Sequence, residues 1–130
     1  MRDIEFRGKR TDNGEWVHGY VCRYGWTGKE NTYIVPDYAS ALYSLEVDPK
    51  TVGQYTGLKD KNGTKIFEGD IVMLRGDEEP YQVVFDESCF QIYDSSVCYV
   101  MDNFYDYEME VIGNIYDNPE LLGGKEDDLG

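Results

Sequence analysis

Twice in this chain an Asn-Gly pair stands between two runs of alternating side chains, and that arrangement limits the fold more than any other feature. The first lies in FRGKRTDNGEWVHGYV (residues 6–21), the second in YTGLKDKNGTKIFEGDIV (residues 55–72). Phe6 answers to Tyr55, Gly8 to Gly57 and Asn13-Gly14 to Asn62-Gly63 at identical spacing. After one inserted residue, Gly19-Tyr20-Val21 answers to Gly69-Asp70-Ile71. Asn and Gly tolerate the positive φ that tight hairpin turns demand. Both stretches are therefore expected to be hairpins, with Asn13, Gly14, Asn62 and Gly63 as turn residues and Gly69-Asp70 opening the next strand. A device used twice reads as architecture rather than as a ligand site.

The rest of the chain keeps the same period of two. Ile4 and Phe6 alternate with charged neighbours, and residues 15–24 place Trp16, His18, Tyr20 and Cys22 on one face with Val17, Val21 and Arg23 on the other. Further strands are expected at 32–36, 45–47, 70–75, 80–86, 89–93, 97–101 and 104–112, with Gly113 bending or bulging the last. Segment 37–43 is either a loop or a helical turn. Asp48-Pro49 and Asn118-Pro119 each put a capping side chain before a Pro at the first helical position, which predicts two short helical turns. Long amphipathic helices are absent. The fold class is all-β, mainly antiparallel, as a small barrel or two packed sheets. A chain of 130 residues suits one domain, here 1–122, followed by a disordered acidic tail at 123–130.

Charge is distributed unevenly. Residues 1–75 hold eleven Lys/Arg and eleven Asp/Glu, whereas residues 76–130 hold fifteen Asp/Glu against Lys125 alone. The whole net charge of −14 thus belongs to the second segment. That half repels phosphate and offers no basic patch for counterion release, which argues against double-stranded nucleic acid. The same surplus serves solubility or steers the protein toward a basic partner. No apolar run is long enough to span a membrane, and MRDIEFRGKR lacks the apolar core of a signal peptide. Three cysteines in no CxxC pair suit the reduced thiols of a cytoplasm.

Candidate chemistry is sparse. His18 is the sole histidine, and a general base needs an orienting partner and a nucleophile in reach; a packed or edge histidine is the simpler reading. Cys22, Cys89 and Cys98 with His18 do not propose a zinc site, because zinc ligands come in close pairs. Asp60-Lys61-Asn62-Gly63 starts like an EF-hand loop, but its Gly comes two positions early and the third oxygen ligand is missing. Asp77-Glu78-Glu79 and Asp86-Glu87 read as solvated loop tips, the first also as half of a magnesium site with another acidic loop. No phosphate-binding loop, dinucleotide fingerprint or nucleophile elbow is present. No catalytic residue, metal site or cofactor is expected, and the chain reads as a non-enzyme.

Three separated motifs carry a family resemblance. EVDPKTVGQYTGLKDKNGTKIFEGDIV (46–72), the opening FRGKRTDNGEWVHGY and VIGNIYDNPELL (111–122) together resemble the YopX family of phage and prophage proteins. The resemblance runs in order from about residue 2 to 122 and is loose at 24–44 and 87–108. It implies a mostly β fold, an origin in a mobile genetic element and action in a bacterial cytoplasm. It implies no chemistry, cofactor or catalytic residue.

Binding readings remain. In the first, the chain is a non-catalytic module that recognises other proteins and self-associates, its Tyr and Trp supplying contact area at low entropy cost; against this stands the expectation that most of the rings fill the core. In the second, the acidic half imitates DNA. Asp106, Glu108 and Glu110 recur every second residue, roughly 6.6 Å apart along a strand, near the ~7 Å of two nucleotide steps. In the third, single-stranded nucleic acid stacks on an aromatic face of the N-terminal half, which requires cations such as Arg7, Lys9 or Arg23 beside the rings.

Overall fold

The computed structural model describes residues 4–26, 29–36, 44–86, 88–94, 97–101 and 108–122. Segment 37–43, positions 104–107 of the expected last strand, Asp106 and the tail at 123–130 lie outside these residues. What is described is all-β: eleven strands in two antiparallel sheets, with two 3₁₀ turns and no longer helix among the described residues. The chain divides into two compact units, Met1–Tyr55 and Thr56–Gly130.

The first unit holds β1 (Phe6–Lys9), β2 (Trp16–Trp26), β3 (Lys29–Pro36), β4 (Leu45–Glu46) and the start of β5 (Gly53–Lys59), in the order β4-β3-β2-β1-β5. Its first hairpin is set by Asn13-Gly14. Gly14 has φ 75° and donates to the Arg10 carbonyl at 3.0 Å, while the Asn13 side chain accepts from the Glu15 N–H at 2.9 Å. The resulting register runs from Lys9 opposite Trp16 to Phe6 opposite Gly19. Alternation then sends Val17 and Ile34 to one face, where they are buried with Val47 against Phe6, Leu45 and Val52. Gly19 sits opposite Pro36 of β3, and a Cβ there would lie 2.0 Å from the Val35 carbonyl oxygen. Asp48 caps the Pro49–Thr51 turn by accepting from the Lys50 N–H at 3.0 Å, as the Asp-Pro grammar predicts.

The second unit contains the end of β5, its neighbour β6 (Lys65–Phe67), and a sheet of β7 (Asp70–Leu74), β8 (Tyr81–Asp86), β9 (Cys89–Tyr93), β10 (Cys98–Val100) and β11 (Met109–Asn114). The order is β10-β9-β8-β7-β11: four strands meander, and the fifth returns to pair with the first. Ile66, Val72, Val83, Ile92, Met101 and Met109 are essentially sealed from water in one cluster. At ~1.5–3 kcal/mol for each large apolar side chain fully buried, this cluster is the main source of stability in the unit. Gly69, with φ 96°, turns the corner between β6 and β7; it donates to the Val83 carbonyl at 2.9 Å and its own carbonyl accepts from Ile115 at 2.9 Å. Asp70 is buried at that corner and accepts from the Phe67 N–H at 2.7 Å.

Two expectations need correction. Among the described residues the rings do not chiefly fill the core. Tyr55, Phe67, Tyr81 and Phe90 are buried, but Tyr20, Tyr24, Phe85, Tyr93 and Tyr99 are exposed, and the sealed interior is aliphatic. On β2 the reason is pleat direction and reach: Val17 and Gly19 turn to the core while His18 and Tyr20 face outward, and from Arg23 to Gly25 the strand is exposed on both faces. The last strand, expected to end at 112, runs on to Asn114 and, among the described residues, begins at Met109, with a register shift between Val111 and Gly113 where the bulge was expected. A Cβ at Gly113 would meet the Asn118 side chain at 2.7 Å, so this bulge leaves room for the chain to fold back onto it.

Candidate protein-interaction site

Strands β8, β9 and β10 make a three-stranded ribbon with two unlike faces. Register sets Val83 opposite Ile92 and Phe85 opposite Phe90 on the core side, so Val84, Gln91 and Tyr93 come up on the other. On β10, Cys98 lies opposite Tyr93 and Val100 opposite Gln91. On this second face Val84, Gln91, Tyr93 and Cys98, with Asp86 and Asp94 at the ends, line an open groove of about 540 Å³.

The floor of the groove is held in place. Gln91 is 9% exposed; its Oε1 accepts from the Cys98 thiol at 2.6 Å, and its Nε2 donates to the Asp86 carbonyl at 3.1 Å and to Cys89 Sγ at 3.4 Å. One amide thus ties β9 to both neighbours. The turn between β9 and β10 is closed by Asp94, whose side chain accepts from the Val97 N–H at 3.0 Å and whose own N–H donates to the Val97 carbonyl at 3.0 Å. Such Asx-type turns fix a loop tip without apolar packing.

The ribbon is apolar on both sides: Phe85, Tyr93, Val97, Tyr99 and Val100 are each between 38% and 49% exposed, with Tyr93 and Val100 on the groove face and Phe85 and Tyr99 on the side of Phe90 and Ile92. Among the described residues β10 is moreover a terminal strand of its sheet, and it carries no charge between Val97 and Val100. Native sheets commonly blunt such edges with Lys, Pro, bulges or extreme shortness. β11, at the other end of the sheet, has its bulge; β10 has none of the four beyond its three-residue length.

Of the expected row of carboxylates, Glu110 lies in β11 and Glu108 just before it. Glu110 lies opposite Met73, and the Lys61 ammonium is 3.4 Å from its carboxylate, both side chains nearly half exposed. The Glu108 carbonyl accepts from the Arg75 N–H at 2.8 Å. Asp106 is outside the described residues. Asp77 accepts from the Tyr81 hydroxyl at 2.8 Å; this bond first, and burial second, push the Tyr81 phenol up to about 12.

The remaining sequence-derived positions are structural in their contacts. Asn62-Gly63 closes the β5–β6 hairpin, with Gly63 at φ 82° and its N–H donating to the Asp60 carbonyl at 3.0 Å. His18 is exposed, its Nδ1 3.2 Å from a Glu5 carboxylate oxygen. Cys22, Cys89 and Cys98 are free, and no group of three or more His, Cys, Asp or Glu is placed to hold a metal among the described residues.

Sequence reasoning missed two residues. The sequence places Asp60 in a turn but gives it no role beyond the turn. It is 3% exposed, and its carboxylate accepts from the N–H groups of Asn62, Thr64 and Val111, each at 2.9 Å, clamping the hairpin turn to β11. Burial alone pushes that carboxyl up, but these three N–H groups and the Lys61 charge outweigh it and hold the carboxyl below its ordinary value. An Asp two residues before Asn-Gly is a recognisable Asx-turn signal. Gln91 had no such marker, because only register reveals its place between two cysteines.

Strand-only architecture, single 3₁₀ turns and an uncharged open edge define the class: an all-β protein. The chain belongs to the YopX family, with residues 5–123 matching the family described as YopX protein. The crystal structure of protein EF1440 from Enterococcus faecalis is similar in fold, with a TM-score of 0.57 at 23% identity over 94% of this chain and 99% of that one. No curated protein matches. No helix among the described residues is long and apolar enough to cross a membrane.

Proposed function

We propose that this chain is a non-catalytic protein-interaction module, carried by a phage or prophage and acting in the bacterial cytoplasm, which also self-associates. The observation that carries the reading is the uncharged terminal strand β10 with its surround of exposed Phe85, Tyr93, Val97, Tyr99 and Val100. Two such edges pair antiparallel by the same hydrogen bonds that join β10 to β9, and aromatic and aliphatic contacts add to them. The experiment is sedimentation velocity over a concentration series. The wild-type chain is expected to associate, and Val97→Lys/Val100→Lys to stay monomeric with an unchanged circular dichroism spectrum. A wild-type chain that is monomeric throughout refutes self-association. DNA imitation is less well supported, since Lys61 sits against Glu110.

A specific contact favours a second reading, single-stranded nucleic acid on the first unit. The Arg7 guanidinium lies 4.5 Å and the Lys9 ammonium 5.7 Å from the centroid of the Trp16 ring, and Tyr20 and Tyr24 are exposed on the same face of β2. Rings beside cations are what sequence-tolerant strand binding uses. A gel shift with oligothymidine at low salt tests it, and an unshifted band removes it.

A further inference from the structure

We propose that the groove over β8, β9 and β10 receives an extended segment of a partner protein that carries basic residues at both ends of the bound stretch. This rests on the interaction reading and adds the chemistry of the partner. The groove is open rather than a closed pocket, which suits a chain segment better than a small molecule. Its floor is a rigid amide, because Gln91 is fixed by Cys98, Cys89 and the Asp86 carbonyl. Its length is set by β9: five residues from Cys89 to Tyr93 span roughly 17 Å at 3.4 Å per residue. A carboxylate stands at each end. Asp86 is opposite Cys89 at one end, and Asp94 follows Tyr93 at the other. Between them the wall is Val84, Tyr93 and Val97.

That layout specifies an occupant. Apolar side chains of an extended segment rest on Val84 and Tyr93, while a Lys or Arg five to six residues apart meets each carboxylate. The surrounding field has the same sign, since residues 76–130 carry fifteen acidic side chains against one basic. It favours a basic segment on approach and strengthens a paired end contact. The β10 edge of a second copy, Val97 to Val100, carries no Lys or Arg to meet the two carboxylates, so edge pairing between copies and filling of the groove are separate contacts.

The test is fluorescence anisotropy of a labelled heptapeptide of alternating Thr and Val ended by lysines, titrated with the full chain. A matched peptide ended by glutamates is the control. The lysine peptide is expected to bind and to weaken as salt rises, and the glutamate peptide to bind far more weakly. Asp86→Asn/Asp94→Asn should lose affinity roughly 2- to 30-fold, taking each exposed pair at 0.2–1 kcal/mol, and Tyr93→Ala should lose it independently. Asparagine keeps the oxygen that accepts from Val97, and circular dichroism checks the fold. The proposal is overturned if the two peptides bind alike, if the double Asn variant binds as tightly as wild type, or if neither peptide binds. It also fails if the lysine peptide's anisotropy falls again at chain concentrations where sedimentation shows self-association, which assigns the groove to a second copy. Sedimentation of Val97→Lys/Val100→Lys reports self-association separately, so the groove and the module reading fail by different results.

Discussion

Replacing Asp60 by Asn tests whether one buried carboxylate holds the second unit together. The change is isosteric, yet it removes one of two acceptor oxygens and the charge. In the wild type, Oδ1 accepts from Asn62 and Thr64 and Oδ2 accepts from Val111, all at 2.9 Å. After substitution a single amide oxygen remains, and the NH₂ group must face at least one backbone N–H. Hydrogen bonds to a charged group contribute ~1.5–3 kcal/mol each, and a donor left unsatisfied costs ~1–3 kcal/mol. The residue is 3% exposed, so water cannot readily substitute. The expected loss is about 2–4 kcal/mol, large beside a typical total of ~5–15 kcal/mol. Urea unfolding followed by far-ultraviolet circular dichroism measures it, since both tryptophans lie in the first unit. Amide exchange at Val111 should accelerate as well. The pH dependence has a definite sign. The folded carboxyl titrates below its unfolded value, so its contribution is present above the unfolded pKa and is lost as pH falls through the folded one. The gap between wild type and Asp60→Asn should therefore be constant near neutrality and close in acid. A variant within 0.5 kcal/mol of wild type, or a gap that widens in acid, refutes the clamp.

Other outcomes follow from single contacts. Gly19→Ala places a Cβ 2.0 Å from the Val35 carbonyl oxygen, which must break the β2–β3 approach; loss of soluble, folded protein or a fall of more than ~3 kcal/mol is expected in a chemical melt, and a wild-type melt contradicts the packing. Ile92→Ala empties a fully buried site and should cost about 2–5 kcal/mol by the same measure. Asp77→Asn should bring the Tyr81 phenol down from about 12 toward 10, read by spectrophotometric tyrosinate titration. The raised phenol stabilises the fold below pH 10 and that contribution is lost as pH rises through about 12, so Asp77→Asn should also lose alkaline stability earlier.

Strand positions were legible because alternation is a local signal: β7, β8, β9 and β10 lie within a residue or so of their expected spans. The two 3₁₀ turns were legible for the same reason, since Asp48-Pro49 and Asn118-Pro119 declare themselves in adjacent letters. What was hidden depends on partners distant in sequence. Val111 reaches Asp60 across 51 residues, and no local pattern couples them. The period of β2 separates its two faces but does not say which one is covered, so Tyr20 and Tyr24 could not be told from core rings. The groove needs three strands in register before Gln91, Tyr93 and Cys98 share a face.

The return of β11 to β7 carries a consequence for biosynthesis. Leu74 leaves the ribosome 35 positions ahead of Met109, its eventual neighbour. Throughout that interval one flank of Ile71 and Val72 has no strand to lie against, so the nascent polypeptide presents a sticky hydrophobic ribbon. Translation stalled anywhere before Met109 should yield product that clumps or is degraded, whereas completion of β11 seals the seam in a single step.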